Sequence, residues 1–545
     1  MIFRKPSTVV AAWLIFSIIL LSGCRERSMA DKKIFRYNET TGIASLDPAF
    51  AKNQSIMWAV HQLYSTLVEV DANGTIQPLL AKSWDFSPDK KSIVFHLRTD
   101  VFFHDDAAFA NGKGRKLLAE DVRYSLDRII DAGTASPGAW IFNNRVDSIN
   151  PFVALNDSSF QVNLLKPFHP ILGILSMQYC SVVPREAVEK YGISFRSHAV
   201  GTGPFSFVAW EEGQALVMKK NEHYFEKDSA GIPLPYLDGV KVNFYDSKAT
   251  EFLEFRQGRL DFINDIDPSF KDEVLTKTGN LKKKWEGMLY LNKHPYLNIE
   301  YFGILHDSAN ALLQQSPLRF KKVRQAINYA INRKKMMLYL RNSIGTAAES
   351  GFVPQGLPSF DAEKVKGYSY DINKARQLLS EAGFPNGKGL PEIKLLTIPI
   401  YTNLASYVAN ELKQVGINIQ VESIQKSLLL EQTSKSQALF FRGSWIADYP
   451  DAENYLSVFY SKNPAPPNYT RYKNLQFDRL YEQALEEEND SVRYELYRSM
   501  DRLIVEDAPV VPFWYDMVIH LVHNNVSGFK ANSLNMLELR KVRKQ

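Results

Sequence analysis

Residues 393–421 read IKLLTIPIYTNLASYVANELKQVGINIQV, and their pattern indicates the fold class. Its opening apolar residues, 393–398, predict a buried strand. The next apolar side chains recur with the spacing of one helix face: Leu404, Val408, Leu412 and Val415. Gly416 ends that helix, and alternating apolar residues from 417 to 421 predict a second strand. Strand, helix and strand in this order form a βαβ-like unit, which predicts a mixed α/β fold.

The flanking sequence repeats both kinds of element. Alternation of apolar residues predicts half-buried strands at residues 93–97, 160–164 and 240–244. Ser316 as N-cap and Pro317 at the first helical position predict a helix that runs to Ile331. Asp371 caps another predicted helix, which Gly383 ends. We therefore expect α/β architecture throughout, in at least two lobes.

Length and composition narrow the class of protein. A chain of 545 residues is long enough for two or three domains. Its 45% hydrophobic and 23% charged residues are typical of a globular protein rather than a disordered one. The formal net charge of +5 is small, and the basic residues are scattered apart from 282–284 and the tail 540–544. These runs favour solvated faces, so we expect no nucleic-acid partner.

The N-terminus has the pattern of an export signal. Arg4 and Lys5 precede an apolar stretch at residues 9–21, which is shorter than the ~20 residues of a membrane-spanning helix. Leu21-Ser22-Gly23-Cys24 resembles the bacterial lipobox. We predict a signal peptide at 1–23, lipidation at Cys24 and a polar tether at 24–33, with a plain signal peptide as the alternative. The other cysteine, Cys180, is expected to be buried packing.

Motifs for catalysis or metal binding do not emerge. Gly201-Thr202-Gly203 lacks the third glycine of a dinucleotide loop, and neither a G-x-S-x-G elbow nor an H-E-x-x-H helix is present. The ten histidines lack metal-ligand spacing. We therefore expect no catalytic residue, no metal and no cofactor, although a spatial triad would not show in sequence order.

Several motifs occur in an order that resembles one protein family. They are Leu46-Asp47-Pro48-Ala49, residues 80–84 (LAKSW), 93–98, 102–105 (FFHD), 119–128, 201–205 (GTGPF), Trp210, 221–224 (NEHY), 323–327 (VRQAI), Asn332-Arg333 and 445–448 (WIAD). This series is similar to the bacterial extracellular solute-binding proteins of family 5, the peptide- and nickel-binding group that feeds ABC importers. It extends over nearly all of the chain from about residue 34. Asp105-Asp106 departs from the family's usual Asp-Gly, so we expect the local loop shape to differ there.

The resemblance implies a two-lobed, periplasmic-binding-protein-like fold (type II) with an inserted α/β domain. The expected boundaries are 34–68, 200–266 and 508–545 for a discontinuous lobe I, 69–199 for the inserted domain, and 267–507 for lobe II. Residues 508–512 would cross back to lobe I. Two crossings are typical of a hinge that lets the lobes close on a ligand.

The same resemblance assigns a binding role to residues 440–451. Asp448 occupies the position of an acid that takes the α-ammonium of a peptide, and Arg442 matches an arginine near the peptide's carboxylate end. Gly443 and Ser444 would offer main-chain groups to an extended peptide, and Trp445 and Tyr449 would wall the cleft. The alternatives are a surface turn for Asp448, a structural ion pair for Arg442 and core packing for Trp445.

These assignments imply a function outside the cytoplasmic membrane. The protein, expected to be a monomer held to a membrane by its N-terminal lipid, would capture short peptides by lobe closure. It would then deliver them to ABC permease and ATPase subunits. The ligand alternatives are a nickel chelate, haem, an opine or an oligosaccharide, and an anchored hydrolase or a signalling receptor is a further alternative.

Overall fold

The computed structural model describes residues 33–545, so the predicted signal peptide, Cys24 and nearly all of the predicted tether lie outside the described residues. The strands are, in chain order, β1 Ile34–Asn38, β2 Val68–Val70, β3 Ile76–Pro78, β4 Ala81–Phe86, β5 Ser92–Leu97, β6 Phe152–Asn156, β7 Ser159–Asn163, β8 Phe205–Glu211, β9 Ala215–Lys220, β10 Gly239–Asn243, β11 Phe262–Asn264, β12 Leu289–Ile304, β13 Thr346–Ala347, β14 Ile393–Thr397, β15 Ile419–Ser423, β16 Phe440–Ile446, β17 Val510–His523, β18 Val526–Ser527, β19 Lys530–Ala531, β20 Leu537–Glu538 and β21 Arg543–Lys544.

Helices alternate with many of these strands along the chain. They are α1 Gln54–Leu63, α2 Ala119–Ile130, α3 Ile171–Leu175, α4 Arg185–Tyr191, α5 Lys248–Arg256, α6 Pro268–Val274, α7 Ala311–Gln314, α8 Lys321–Ala330, α9 Arg333–Arg341, α10 Ile372–Glu381, α11 Thr402–Lys413, α12 Lys426–Ser434, α13 Glu453–Leu456, α14 Leu475–Glu486 and α15 Asp490–Asp507. Within residues 33–545, no helix is both long enough and apolar enough to cross a membrane.

The βαβ unit predicted from residues 393–421 is confirmed. Strand β14 pairs with β15 in parallel, with Ile393 opposite Ile419, and α11 connects them. The apolar face of α11 packs into a buried cluster through Leu404, Val408 and Leu412. Gly416 ends this segment at φ +87°, where an added Cβ would lie 2.2 Å from a backbone oxygen, so only glycine fits.

A seven-stranded mixed sheet contains this unit. Its order is β11-β17-β12-β16-β14-β15, and β13 also pairs with β17. Strands β12 and β17 are the longest, and they pair antiparallel from Leu289↔His523 to Gly303↔Val510 with a register shift between Pro295 and Ile299. The sheet pairs β11 and β17, from segments predicted for lobe I, with β12 from predicted lobe II. The predicted boundary between the lobes thus crosses this sheet, and the domain boundaries stay a prediction.

Two four-stranded sheets complete the main architecture. One has the order β1-β10-β9-β8 and joins the start of the body to residues 205–243, with β1 and β10 parallel. The other has the order β4-β5-β7-β6 and is antiparallel throughout. The predicted mixed α/β fold is confirmed.

The helix predicted from Ser316 begins later than expected. The Ser316 side chain accepts from the Leu318 amide, but it caps only a short 3-10 turn, Pro317–Arg319. Phe320 is extended, and α8 starts at Lys321. The cap and the proline thus belong to a separate turn, which the apolar periodicity did not distinguish from the helix. Cys180 is buried, as its apolar neighbours predicted.

Candidate ligand-binding cavity

A cavity of about 380 Å³ is lined both by residues of the seven-stranded sheet and by residues outside it. Four separated parts of the chain line it. They are residues 52–70 around α1, residues 140 and 176–179, Tyr296 of β12 together with residues 446–448 at and after the end of β16, and the C-terminal residues 532–536. A site built from segments so distant in sequence is typical of ligand binding between lobes.

Asp448 is the predicted site residue that lines this cavity. It follows the end of β16 by two residues, and its side chain is exposed to the space of the cavity. Desolvation by the surrounding walls raises the pKa of its carboxyl, while a hydrogen bond from Asn454 (3.4 Å) and the charge of Arg145 lower it. No lysine, arginine or histidine among residues 33–545 forms an ion pair with it. The cavity therefore presents a carboxylate that is not held in an ion pair within residues 33–545.

Asn454 holds the turn that positions Asp448. Its side-chain oxygen accepts from the indole Nε1 of Trp445 (2.9 Å) and from the backbone amide of Asp448 (3.3 Å). Trp445 is half-buried against the core and does not line the cavity. It contacts the turn through its hydrogen bond to Asn454. Its predicted contact with ligand stays a prediction.

Arg442 lies deep in the sheet, away from the cavity lining. Its Nη2 forms an ion pair with Glu300 at 2.6 Å, and its guanidinium stacks over the ring of Tyr401 at 3.9 Å. The Tyr401 hydroxyl donates to the same carboxylate at 2.9 Å. This is the structural ion pair that the sequence left open as the alternative to a ligand contact. A ligand carboxylate would have to compete with Glu300 for this guanidinium.

Gly443 and Ser444 belong to a partly free strand edge. On one side they pair with β12, opposite Tyr301 and Glu300. On the other side β16 pairs with β14 only at Phe441, and within residues 33–545 no strand continues that edge. Main-chain groups on such an edge are available to an added strand, as the prediction for an extended peptide requires.

Tyr449 is buried rather than at the cavity wall. Its hydroxyl donates to Glu453, and its ring lies 3.4 Å from the position of a Cβ added to Gly173. Tyr449 therefore does not line this cavity, and its predicted contact with ligand stays a prediction. Three other aromatic residues line the cavity instead: Trp140, Tyr179 and Tyr296. Sequence reasoning missed them because they lie far from residues 440–451 and carry no local motif.

The remaining ionisable residues of the lining, apart from the tyrosines, are Lys52, His61 and Glu69. Glu69 is held by the buried guanidinium of Arg540 through two hydrogen bonds of 2.8 and 2.6 Å. His61 lies 3.4 Å from Glu538, which also faces Arg540. Within residues 33–545, no three His, Cys, Asp or Glu side chains are grouped as a metal ion requires.

Comparison with known proteins identifies the class of fold and binder. The model of "Bacterial extracellular solute-binding proteins, family 5 Middle" matches residues 75–467, well over half of the chain. The periplasmic oligopeptide-binding protein OppA of Salmonella typhimurium is 26% identical over 548 residues, with 96% of this chain and 95% of that protein covered. Heme-binding protein A of Haemophilus influenzae is 25% identical over 557 residues, with 96% of each chain covered.

A solved structure extends the likeness to three dimensions. The periplasmic binding protein DppA from Helicobacter pylori, in complex with peptide STSA, superposes with a TM-score of 0.70 at 25% identity. The match covers 94% of this chain and 98% of that one. The overall fold is therefore that of a known class of solute-binding protein.

Proposed function

Because this chain belongs to the bacterial extracellular solute-binding proteins of family 5, we propose that its cavity captures short peptides by their free N-terminus and hands them to an ABC permease. The carrying observation is the carboxylate of Asp448, which lines the cavity without an ion-pair partner among residues 33–545. A ligand ammonium would supply the missing charge through charge-assisted hydrogen bonds. It would also offset the desolvation that raises the pKa of this carboxyl.

Main-chain contacts complete this proposal. The free edge of β16 at Gly443 and Ser444 adjoins the turn that carries Asp448. A peptide whose ammonium rests on Asp448 would run beside that edge and gain affinity from its backbone, independent of side-chain identity. Relatives that bind an oligopeptide and the peptide STSA support this cargo. Binding without turnover is part of the proposal.

Isothermal titration of the protein with tri-alanine and N-acetyl-tri-alanine tests the role of Asp448. We expect Asp448→Asn to weaken binding of the free-amine peptide by roughly ten- to a hundredfold, the loss of one hydrogen bond to a charged group. Asp246→Asn is the matched control, because Asp246 is an exposed acid that does not line the cavity. Unchanged affinity in Asp448→Asn would reject the assignment.

Haem is a second candidate ligand, and two residues favour it. Met57 and His61 are four residues apart on α1, so they share one helix face, and both line the cavity. Methionine and histidine are the side chains that ligate haem iron in many proteins. Heme-binding protein A covers 96% of this chain. Titration with haemin, followed by its Soret absorption in wild type and in Met57→Leu, distinguishes the two ligands. If the protein binds only peptides, the haemin spectrum stays that of free haemin.

The membrane anchor is also a proposal. Lipidation at Cys24 would hold the protein at the cell envelope, and residues 24–33 would give the body reach toward the permease. Cells grown with labelled palmitate should label wild type and leave Cys24→Ser unlabelled. Wild-type protein without lipid, in a membrane-free fraction, would contradict the anchor.

Deleting the gene should abolish uptake of the captured peptide, whereas a signalling receptor would leave uptake intact. A single peak at the monomer mass in light scattering would support the proposed monomer.

A further inference from the structure

The walls of the cavity are rich in methionine. Met57 lies on α1, Met177 follows α3, and Met536 lies in the C-terminal segment, yet all three line the same space. The whole chain has 11 methionines, so three in a lining of this size are a clear concentration. Their side chains converge from segments more than 100 residues apart, which indicates a property of the cavity and not of one helix.

Large apolar side chains beside them are open to solvent. Ile446 is 51% exposed and Trp140 is 38% exposed, and both line the cavity. Exposed apolar surface concentrated in a concave site is typical of a place that an apolar ligand group covers. Tyr179 and Tyr296 add aromatic surface to the same lining. The polar anchor at Asp448 thus adjoins a predominantly apolar space.

Methionine gives that space an unusual combination of properties. Its unbranched thioether is polarizable and has three rotatable bonds, so it adapts to apolar groups of different shape. A rigid aliphatic wall would accept one shape, whereas a water-filled polar pocket would accept any side chain without preference. A methionine wall selects for apolar character while it tolerates differences in size and branching.

We propose that this cavity selects peptides that carry a large apolar side chain, and that Met57, Met177 and Met536 provide this selectivity without fixing the shape of the side chain. The inference rests on the proposed capture of peptides and names the class of peptide. Leucine, phenylalanine and methionine side chains are all expected to fit. Serine in their place would leave the apolar lining uncovered.

Isothermal titration with matched tripeptides tests the proposal: Leu-Ala-Ala, Phe-Ala-Ala and Ser-Ala-Ala, and the Ala-X-Ala set with the same three side chains. In at least one set, wild type should bind the leucine and phenylalanine peptides at least tenfold more tightly than the serine peptide, the value of burying one such side chain. Leucine and phenylalanine should agree within about threefold, because the wall adapts.

Substitutions then assign the selectivity to the methionines. Met57→Gln and Met536→Gln keep the side-chain length and add a polar amide. Each should lower the affinity for the leucine and phenylalanine peptides about fivefold and change the affinity for the serine peptide little. Met288→Gln is the control, because Met288 is 53% exposed and does not line the cavity. If a variant fails to fold, the wild-type series alone decides.

The outcomes separate this inference from the proposed function. Peptides that all bind with equal affinity would overturn the apolar selectivity and leave peptide capture intact. Tight binding of leucine peptides with rejection of phenylalanine would overturn the adaptable wall. If none of the six free-amine peptides binds, the proposed function itself fails, and this inference fails with it.

Discussion

Replacing Arg540 by methionine should destabilise the protein by about 3–5 kcal/mol, the usual cost of breaking a buried ion pair from one side. The guanidinium is only 8% exposed and faces three carboxylates. Nη2 donates to Glu69 at 2.8 and 2.6 Å and lies 3.1 Å from Glu538, while Nη1 donates to Glu226. These contacts join the C-terminal segment to β2 and to residue 226.

The magnitude follows from the charges that remain. Methionine fills a similar volume to arginine, so no cavity is expected. The lost unfolding free energy is therefore mainly electrostatic. Burial acts to raise the pKa of Glu538, yet Arg540 holds it well below its ordinary value. A depressed pKa contributes stability above the unfolded value near 4.5, and that contribution disappears as the pH falls through the lower folded value. The difference between wild type and variant should therefore be largest near pH 7 and shrink below about pH 4.5.

Urea unfolding followed by tryptophan fluorescence measures this loss as a free energy of unfolding. The control is Arg543→Met in the same C-terminal segment, since Arg543 is 55% exposed and lies 3.8 Å from Asp228. An exposed pair of this kind contributes about 0–1 kcal/mol. If Arg540→Met lost no more than Arg543→Met, or if its deficit grew toward acid pH, the buried charge cluster would not stabilise the fold as described.

Two further predictions concern residues near the sheet. Burial raises the pKa of Asp501 to about 7, so this one carboxyl should lower the unfolding free energy by on the order of 4 kcal/mol between pH 4 and 8. In urea titrations the unfolding free energy of wild type minus that of Asp501→Asn should fall by this amount from pH 4 to 8, and parallel pH profiles of the two proteins would contradict it. Gly443→Ala places a Cβ 2.6 Å from the buried ring of Tyr301 and should cost about 1–3 kcal/mol by overpacking. Ser444→Ala should change the thermal midpoint little, and equal midpoints for both variants would exclude the clash.

Local patterns predicted local structure well. The strand–helix–strand unit of residues 393–421 is visible in the sequence because its periodicity and its terminal glycine act within about 30 residues. The break at Phe320 was missed because a capped 3-10 turn and a helix start share the same signals. Strands β12 and β17 were not predicted, since their pairing joins residues more than 200 positions apart.

The same limit applies to the site. The resemblance brought Asp448 to attention, and the structure places it in the cavity lining. It could not show that Glu300, 142 residues away, already holds Arg442. Nor could it show that Met57, Met177 and Met536 converge, because no local pattern encodes contacts between distant segments. The residue types thus indicated which side chains are able to bind a peptide. Which of them lie together in the cavity depends on tertiary packing, which the sequence motifs do not encode.

The most direct measurement of the central claim is a double cycle on the pair formed by Asp448 and the peptide ammonium. Isothermal titration would give the affinity of a free-amine peptide and its N-acetyl form for wild type and Asp448→Asn, four values in all. A direct contact predicts that acetylation weakens binding to wild type by roughly ten- to a hundredfold and has little effect in the variant, a coupling of about 1.5–3 kcal/mol. Equal effects of acetylation in both proteins would contradict the account.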